Sequence, residues 1–380
     1  MKFRTKAIHV GNERCKLTGA VVPPIHLAST YVQDEPGVWG DYDYSRSGNP
    51  TRDRMEETLA ALENGIGALA FSSGMAATHC VTMLLNSGDH IVAGADIYGG
   101  TYRLLHKICN RSGIEVSLTD ATDPANLSNA IQSNTKLIWI ESPGNPLMSI
   151  TDITASATVA SEAGVLIAVD NTFATPALTR PLDLGVDIVM HSATKYLGGH
   201  SDALGGALVV KSEELLEQLY FIQNATGNCM SPLDSFLISR GMKTLDLRVK
   251  TQSENALTIA KHLSNDSRIK RVLYPGLPEF VGHEAAAKQM EGGFGGMLSF
   301  EVIGDFEKAK RVTGATQLFQ LAVSLGAVES LIEQPASMSH ASYDRDVRLA
   351  HGISDELIRL SVGLEDVDDL ITDLELALDN

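Results

Sequence analysis

The segment S-A-T-K-Y, Ser192 to Tyr196, places two hydroxyls and a lysine directly after the apolar run V-D-I-V-M-H at 186–191. Lysine is rarely buried without a partner. Lys195 therefore either turns out to solvent or is held inside for the chemistry of its amine, as nucleophile or base. A second run, V-L-I-A-V-D, ends in Asp170 and continues as N-T-F. A carboxylate there is costly unless it caps the next helix or meets a buried cation. A third stretch, A-L-A-F-S-S-G-M-A-A-T at 68–78, turns on Ser72-Ser73-Gly74 into an Ala-rich segment. Small residues and the free N–H groups of a helix start suit an anion such as a phosphate. It is not a G-x-x-x-x-G-K-[ST] loop, because no lysine follows, and taken alone an ordinary Ser-capped helix accounts for it.

Together these parts match one requirement. Pyridoxal phosphate needs an amine for its Schiff base and a carboxylate to keep its pyridinium nitrogen protonated. It also needs donors for its phosphate and a flat side chain against its ring. Lys195, Asp170, the Ser73-Gly74-Met75 turn with Ser192 and Thr194, and Tyr98 in D-I-Y-G-G-T can fill those places. By itself Tyr98 reads equally well as a tyrosine of a surface turn.

The elements that must position these residues follow a regular pattern. Short apolar runs occur at 68–71, 90–93, 115–118, 137–140, 165–170 and 186–191, with a further strand at 205–210. Stretches of helical period separate them. Near-continuous apolar strands alternating with helices predict a mostly parallel sheet covered on both faces, with ligands beyond the carboxyl ends of its strands. The first strand is preceded by a helix that starts at Asn49-Pro50-Thr51 and ends at Asn64-Gly65. A long helix from Asp246 to about Leu263 leads into strands at 271–275, 297–302 and 357–362 mixed with helices, a smaller α+β unit. The expected division is an arm over 1–50 with little helical period, a large α/β domain over 51–245 and a small C-terminal domain over 246–380.

Composition narrows the function. The 380 residues carry 47 acidic against 30 basic side chains, a formal charge of −17, and no long basic run. That argues against a nucleic-acid or anionic-membrane surface, and any anionic ligand must be held by a local basic site. The N-terminus lacks the apolar stretch of a signal peptide, and no apolar segment has membrane-helix length. Cys15, Cys80, Cys109 and Cys229 lack CxxC spacing, which argues against a disulfide framework or zinc site and for a reduced, cytosolic protein.

The chain resembles the trans-sulfuration enzymes of cysteine and methionine metabolism. The marks span the whole chain: Y-S-R-S-G-N-P-T-R (44–52), S-S-G-M-A-A (72–77), D-I-Y-G-G-T (96–101), E-S-P-G-N-P (141–146), V-D-N-T-F (169–173), H-S-A-T-K-Y-L-G-G-H-S-D (191–202), S-L-G-A-V-E-S-L (324–331) and I-R-L-S-V-G-L-E (358–365). The resemblance implies the aspartate-aminotransferase-like fold (type I) and pyridoxal 5′-phosphate as cofactor. Lys195 is then the Schiff-base lysine, Asp170 the partner of the pyridine nitrogen and Tyr98 the residue on the ring. Gly74 and Met75 give N–H groups to the phosphate, assisted by Ser192 and Thr194. Tyr44 and Arg46 reach the phosphate of a neighbouring subunit, which implies a homodimer of active sites and a tetramer. Asn145, Ser330 and Arg359 hold the substrate carboxylate, Arg103 lies toward its outer part, and Glu329 takes a distal ammonium.

The implied activity is that of a cystathionine γ-lyase, giving cysteine, 2-oxobutanoate and ammonia. A cystathionine γ-synthase, which adds cysteine to an O-acyl-homoserine, shares every residue named. Methionine γ-lyases usually carry cysteine where this chain has Gly100, so that activity is less favoured. A catalytically dead binding protein on the same fold conflicts with the full set of catalytic positions. One departure from the family pattern is Gly144 in E-S-P-G-N-P, where relatives carry Thr or Ser. The expectation from sequence is a looser loop around Asn145. Met75, in place of a common leucine, is harmless to a backbone contact.

Overall fold

The computed structural model describes residues 1–341 and 344–380. The alternating pattern folds as a seven-stranded sheet of β1 (Gly67–Phe71), β2 (His90–Gly94), β3 (Glu115–Thr119), β4 (Thr135–Glu141), β5 (Leu166–Asp170), β6 (Ile188–His191) and β7 (Gly206–Val210). The strand order is β1-β7-β6-β5-β4-β2-β3. The pairings from β6 through β5, β4 and β2 to β3 are parallel. β7 runs antiparallel to both β1 and β6. The reason is the connection: residues 192–205 turn back without a helix, and a parallel return needs a longer crossover. Successive residues of the central strands enter different cores. Val92, Ile138, Ile140, Ile167 and Val169 pack on one face, and Ile91, Ala93, Leu137, Trp139 and Ala168 on the other. This is why these strands read as continuous apolar runs.

A five-stranded sheet follows, made of β8 (Ile269–Leu273), β9 (Met297–Val302), β10 (Gln320–Leu321), β11 (Leu331–Glu333) and β12 (Leu357–Ser361), in the order β10-β11-β12-β9-β8. Its core includes Leu298, Phe300, Ile332, Ile358 and Leu360. β10 and β11 were not expected from sequence, since two or three residues carry no periodicity. The long helix, Leu245–Ser264, buries Val249, Ala256, Ile259 and Leu263.

Helix ends obey local chemistry. The Pro50–Glu63 helix starts on Asn49, whose side chain accepts from the Thr51 and Arg52 amides, and stops on Asn64 at φ 57°. The N-terminal stretch departs from expectation: Phe3–His9 is helical, buries Ala7, and is anchored by Lys6 Nζ donating to the Ala61 carbonyl at 2.9 Å. Two turns are too short for a period to show, and docking supplies the stability that propensity does not. Residues beyond it to 49 form no longer strand or helix and expose Leu17, Val21, Leu27 and Val32. Among the described residues no helix is long and apolar enough to cross a membrane.

Candidate active site

The carboxyl ends of β1, β4, β5 and β6 meet β11 and β12 around a cavity of about 410 Å³. Lys195 lies in it, half-buried, and donates from Nζ to Ser324 Oγ at 2.7 Å. Burial lowers its pKa to about 8; the Arg359 guanidinium pushes the same way, and Glu333 opposes it. Ser324 adopts φ 122°, a conformation an L residue rarely holds.

Asp170 ends β5 and is buried. Its Oδ1 accepts both Thr172 bonds, from N at 3.0 Å and from Oγ1 at 2.5 Å. Burial raises its pKa, while Thr172 and His191 hold the charged form. Glu141, at the end of β4, also lines the cavity, and its pKa is raised by burial first and then by Asp170. Its Oε2 accepts from the Tyr98 amide at 2.8 Å, which fixes the turn carrying Tyr98. The Tyr98 ring projects over the absent Gly100 side chain: a Cβ there would overlap its Cε1 and crowd Met75 Sδ at 2.8 Å.

The anion cradle is equally specific. The Gly74–Thr82 helix is capped by Ser73 Oγ on the Ala76 amide, so the Gly74 and Met75 amides have no partner within the helix. A Cβ on Gly74 would stand 3.0 Å from Ser192 Cβ, so only glycine leaves that approach open. Thr194 lines the cavity, but its hydroxyl exchanges bonds with Gly205, donating to O at 3.1 Å and accepting from N at 3.0 Å.

Across the cavity, Arg359 on β12 is buried and held in a fixed fork. Nη1 donates to Asn145 Oδ1 at 2.9 Å and pairs with Glu333 Oε1 at 3.0 Å, and Nη2 donates to the Ser324 carbonyl at 3.0 Å. Glu333 is its cross-strand partner on β11 and also accepts from Ser339 Oγ at 2.6 Å. Arg359 Nε and Glu333 Oε2 are buried without hydrogen-bond partners. Arg103 is a further lining residue.

Two expectations from sequence change. Ser330 is fully buried and turned away; its Oγ donates to Glu365 Oε2 and accepts from the Gly363 amide, both at 2.8 Å. It ties two loops together and cannot hold a carboxylate in the cavity. Glu329 is not among the lining residues either; the acids that line the cavity are Glu141, Asp170 and Glu333. Ser324 and Glu333 are what sequence reasoning missed, along with Glu141 inside a motif already singled out. Tyr44 and Arg46 stand apart from their own chain's cavity. Tyr44 is exposed, the Arg46 guanidinium lies 5.6 Å from its ring centroid, and Arg46 Nε donates to Asn224 Oδ1 at 3.3 Å.

Gly144 does not loosen its loop. A Cβ there would overlap Asp96 Oδ2 and Ser149 Oγ, which are themselves hydrogen-bonded at 2.5 Å. The space of the missing side chain is filled. Gly144→Thr is expected to destabilise the protein by about 1–3 kcal/mol through overpacking, read as a lower denaturation midpoint. Ser149→Ala should recover part of that loss, a coupling a double-mutant cycle measures.

An α/β sheet that gathers an amine, a carboxylate and an anion cradle at its strand ends is the frame of a cofactor-dependent enzyme. A model of the family described as Cys/Met metabolism PLP-dependent enzyme matches residues 4–379, and the chain belongs to that family. Its cofactor is accordingly pyridoxal 5′-phosphate. It is 51% identical over 380 residues to a cystathionine γ-lyase of Bacillus subtilis (strain 168), covering 100% of both chains. It is 50% identical over 376 residues to a cystathionine β-lyase of Coxiella burnetii, covering 98% of this chain and 97% of the relative. Enzymes named cystathionine γ-synthase also match, one at 48% over 98% of the chain. The crystal structure of cystathionine γ-lyase from Lactobacillus plantarum complexed with L-serine superposes with a TM-score of 0.97 at 46% identity, covering 100% of this chain and 99% of that one.

Proposed function

We propose that the protein is a cystathionine γ-lyase of the aspartate-aminotransferase-like fold, converting L-cystathionine and water to cysteine, 2-oxobutanoate and ammonia. The observation that carries this reading is the half-buried Lys195 amine, held by Ser324 at 2.7 Å in the same cavity as the Arg359 guanidinium. The choice of the γ-lyase rests on the relative of that name at 51% identity over the whole chain. In this reading residues 1–50 form the arm, 51–245 the cofactor domain and 246–380 the small domain. Tyr44 and Arg46 serve a second copy of the chain, in a cytosolic tetramer.

The residues present fit the cofactor. The open Gly74 and Met75 amides with Ser192 suit a phosphate, Asp170 suits a protonated ring nitrogen, and Lys195 suits an aldehyde. Bound pyridoxal phosphate supplies that aldehyde and an electron-accepting ring. Lys195, its pKa lowered to about 8, reaches its neutral form more readily than an exposed lysine and can take the substrate Cα proton; once that proton has been handed on to the bound cofactor, the same amine can take one from Cβ. Asp170 holds the proton at the ring nitrogen. Arg359, a cation lining the cavity with its fork set by Asn145 and Glu333, suits the substrate carboxylate. Glu141 holds the Tyr98 turn in place.

A product assay on cofactor-loaded protein tests the reading. From L-cystathionine, 2-oxobutanoate with cysteine is the expected result. Pyruvate with homocysteine would make it a β-lyase. Slow cleavage combined with fast cystathionine formation from an O-acyl-homoserine and cysteine would make it a γ-synthase.

A further inference from the structure

A chain of direct contacts runs from the turn after β11 to the guanidinium of Arg359. Ser339 Oγ donates to Glu333 Oε1 at 2.6 Å, and Arg359 Nη1 stands 3.0 Å from the same oxygen. Glu333 and Arg359 are buried, while Ser339 is half-buried; all three line the cavity. Glu333 Oε2 has no hydrogen-bond partner, so among the described residues its carboxylate is held through Oε1 alone. Ser339 is itself firmly placed. The amides on either side of it are pinned, Met338 to the Gln334 carbonyl at 3.1 Å and His340 to the Pro335 carbonyl at 2.9 Å. Its Oγ also lies 3.0 Å from His340 Nδ1.

We infer that Ser339 is a positioning residue for carboxylate recognition: its hydroxyl fixes the Glu333 side chain, and Glu333 in turn fixes the Arg359 fork. The inference rests on the reading of Arg359 as the group that meets the substrate carboxylate. Three tethers hold that fork: Asn145 Oδ1, the Ser324 carbonyl and Glu333 Oε1. They are not equally stiff. The Ser324 tether is backbone and the Asn145 side chain is short, whereas a glutamate has the largest rotamer freedom of the three. The Glu333 tether therefore depends on a further contact to stay in place, and Ser339 supplies it from a pinned turn. A hydroxyl that merely satisfied a buried carboxylate would affect stability when removed. It would not alter which ligands the cavity prefers.

The test titrates holoenzyme at one pH with glycine and with methylamine, followed by the circular dichroism of the bound cofactor. Both ligands bring an amine and only glycine brings a carboxylate. The ratio of the two affinities therefore reports the fork and cancels effects on the cofactor. Ser339→Ala is expected to lower that ratio about tenfold by weakening glycine alone, and Ser339→Thr, which keeps the hydroxyl, to preserve it. In a Glu333→Ala background, Ser339→Ala should have no further effect, because the route through Glu333 is already cut. The inference is overturned by an unchanged ratio in Ser339→Ala, by an equal loss for both ligands, by an equally large loss in Ser339→Thr, or by a loss that adds to that of Glu333→Ala. Arg359→Ala separates the two levels. If it collapses the ratio while Ser339→Ala does not, only the inference falls; if it leaves the ratio unchanged, the assignment of Arg359 to the carboxylate fails and the inference with it.

Discussion

Lys195→Ala is expected to give a folded protein without turnover. The amine is the group in the cavity that can both capture the aldehyde and move a proton at Cα, so its loss should reduce kcat by at least about 10³-fold. The violet absorption of protein-linked cofactor should vanish, while cofactor held by the Gly74 and Met75 amides remains removable by dialysis. The fold should not suffer. The folded-state pKa of Lys195, about 8, lies below that of an exposed lysine, so burying the charge works against folding at neutral pH. The melting temperature of the cofactor-free variant should therefore stay level or rise. A variant that keeps its activity, or one that loses the cofactor-free fold, would show that Lys195 has a different task. The same pKa sets a pH dependence in the cofactor-free protein. Only the neutral amine attacks an aldehyde, so the rate of cofactor uptake should climb as pH passes through about 8 and level off above it.

Residues adjacent in sequence to a strong pattern were readable, and residues defined by long-range folding were not. Lys195, Asp170 and the Gly74 turn each follow an apolar strand, and the parallel sheet carries all three strand ends to one edge. The α/β pattern of the large sheet showed because its central strands are buried on both faces. The C-terminal half was harder. Along β11 the side chains alternate, with Ile332 in the small core and Glu333 in the cavity. Ser330, two residues before Ile332, points to Glu365 instead of the ligand. A correct motif with an uncertain face thus led to Ser330 and Glu329 in place of Ser324 and Glu333. Gly144 misled for a related reason. Its lack of a side chain suggested slack, whereas Asp96, distant in sequence, and Ser149, across the turn of the same loop, fill the space.

Arg359 should carry the second large effect. Arg359→Ala removes the fork and leaves Glu333 buried without its cation, and kcat/KM should fall about 10²–10³-fold. Lysine should not restore it, because a single ammonium cannot keep Asn145, Glu333 and the Ser324 carbonyl while also meeting a carboxylate. The cofactor-free protein separates this from a general collapse of the site. The Arg359 cation depresses the Lys195 pKa more than Glu333 raises it. In Arg359→Ala the larger of the two influences, the one that depresses the pKa, is gone. The midpoint of cofactor uptake should then move above pH 8. In Glu333→Gln the guanidinium stays and its counter-charge goes, so the midpoint should move below pH 8. Opposite shifts in the two variants follow only if both groups act on the amine through their charge. A shift in the same direction, or none, would mean that Arg359 and Glu333 shape the cavity without setting the protonation of Lys195.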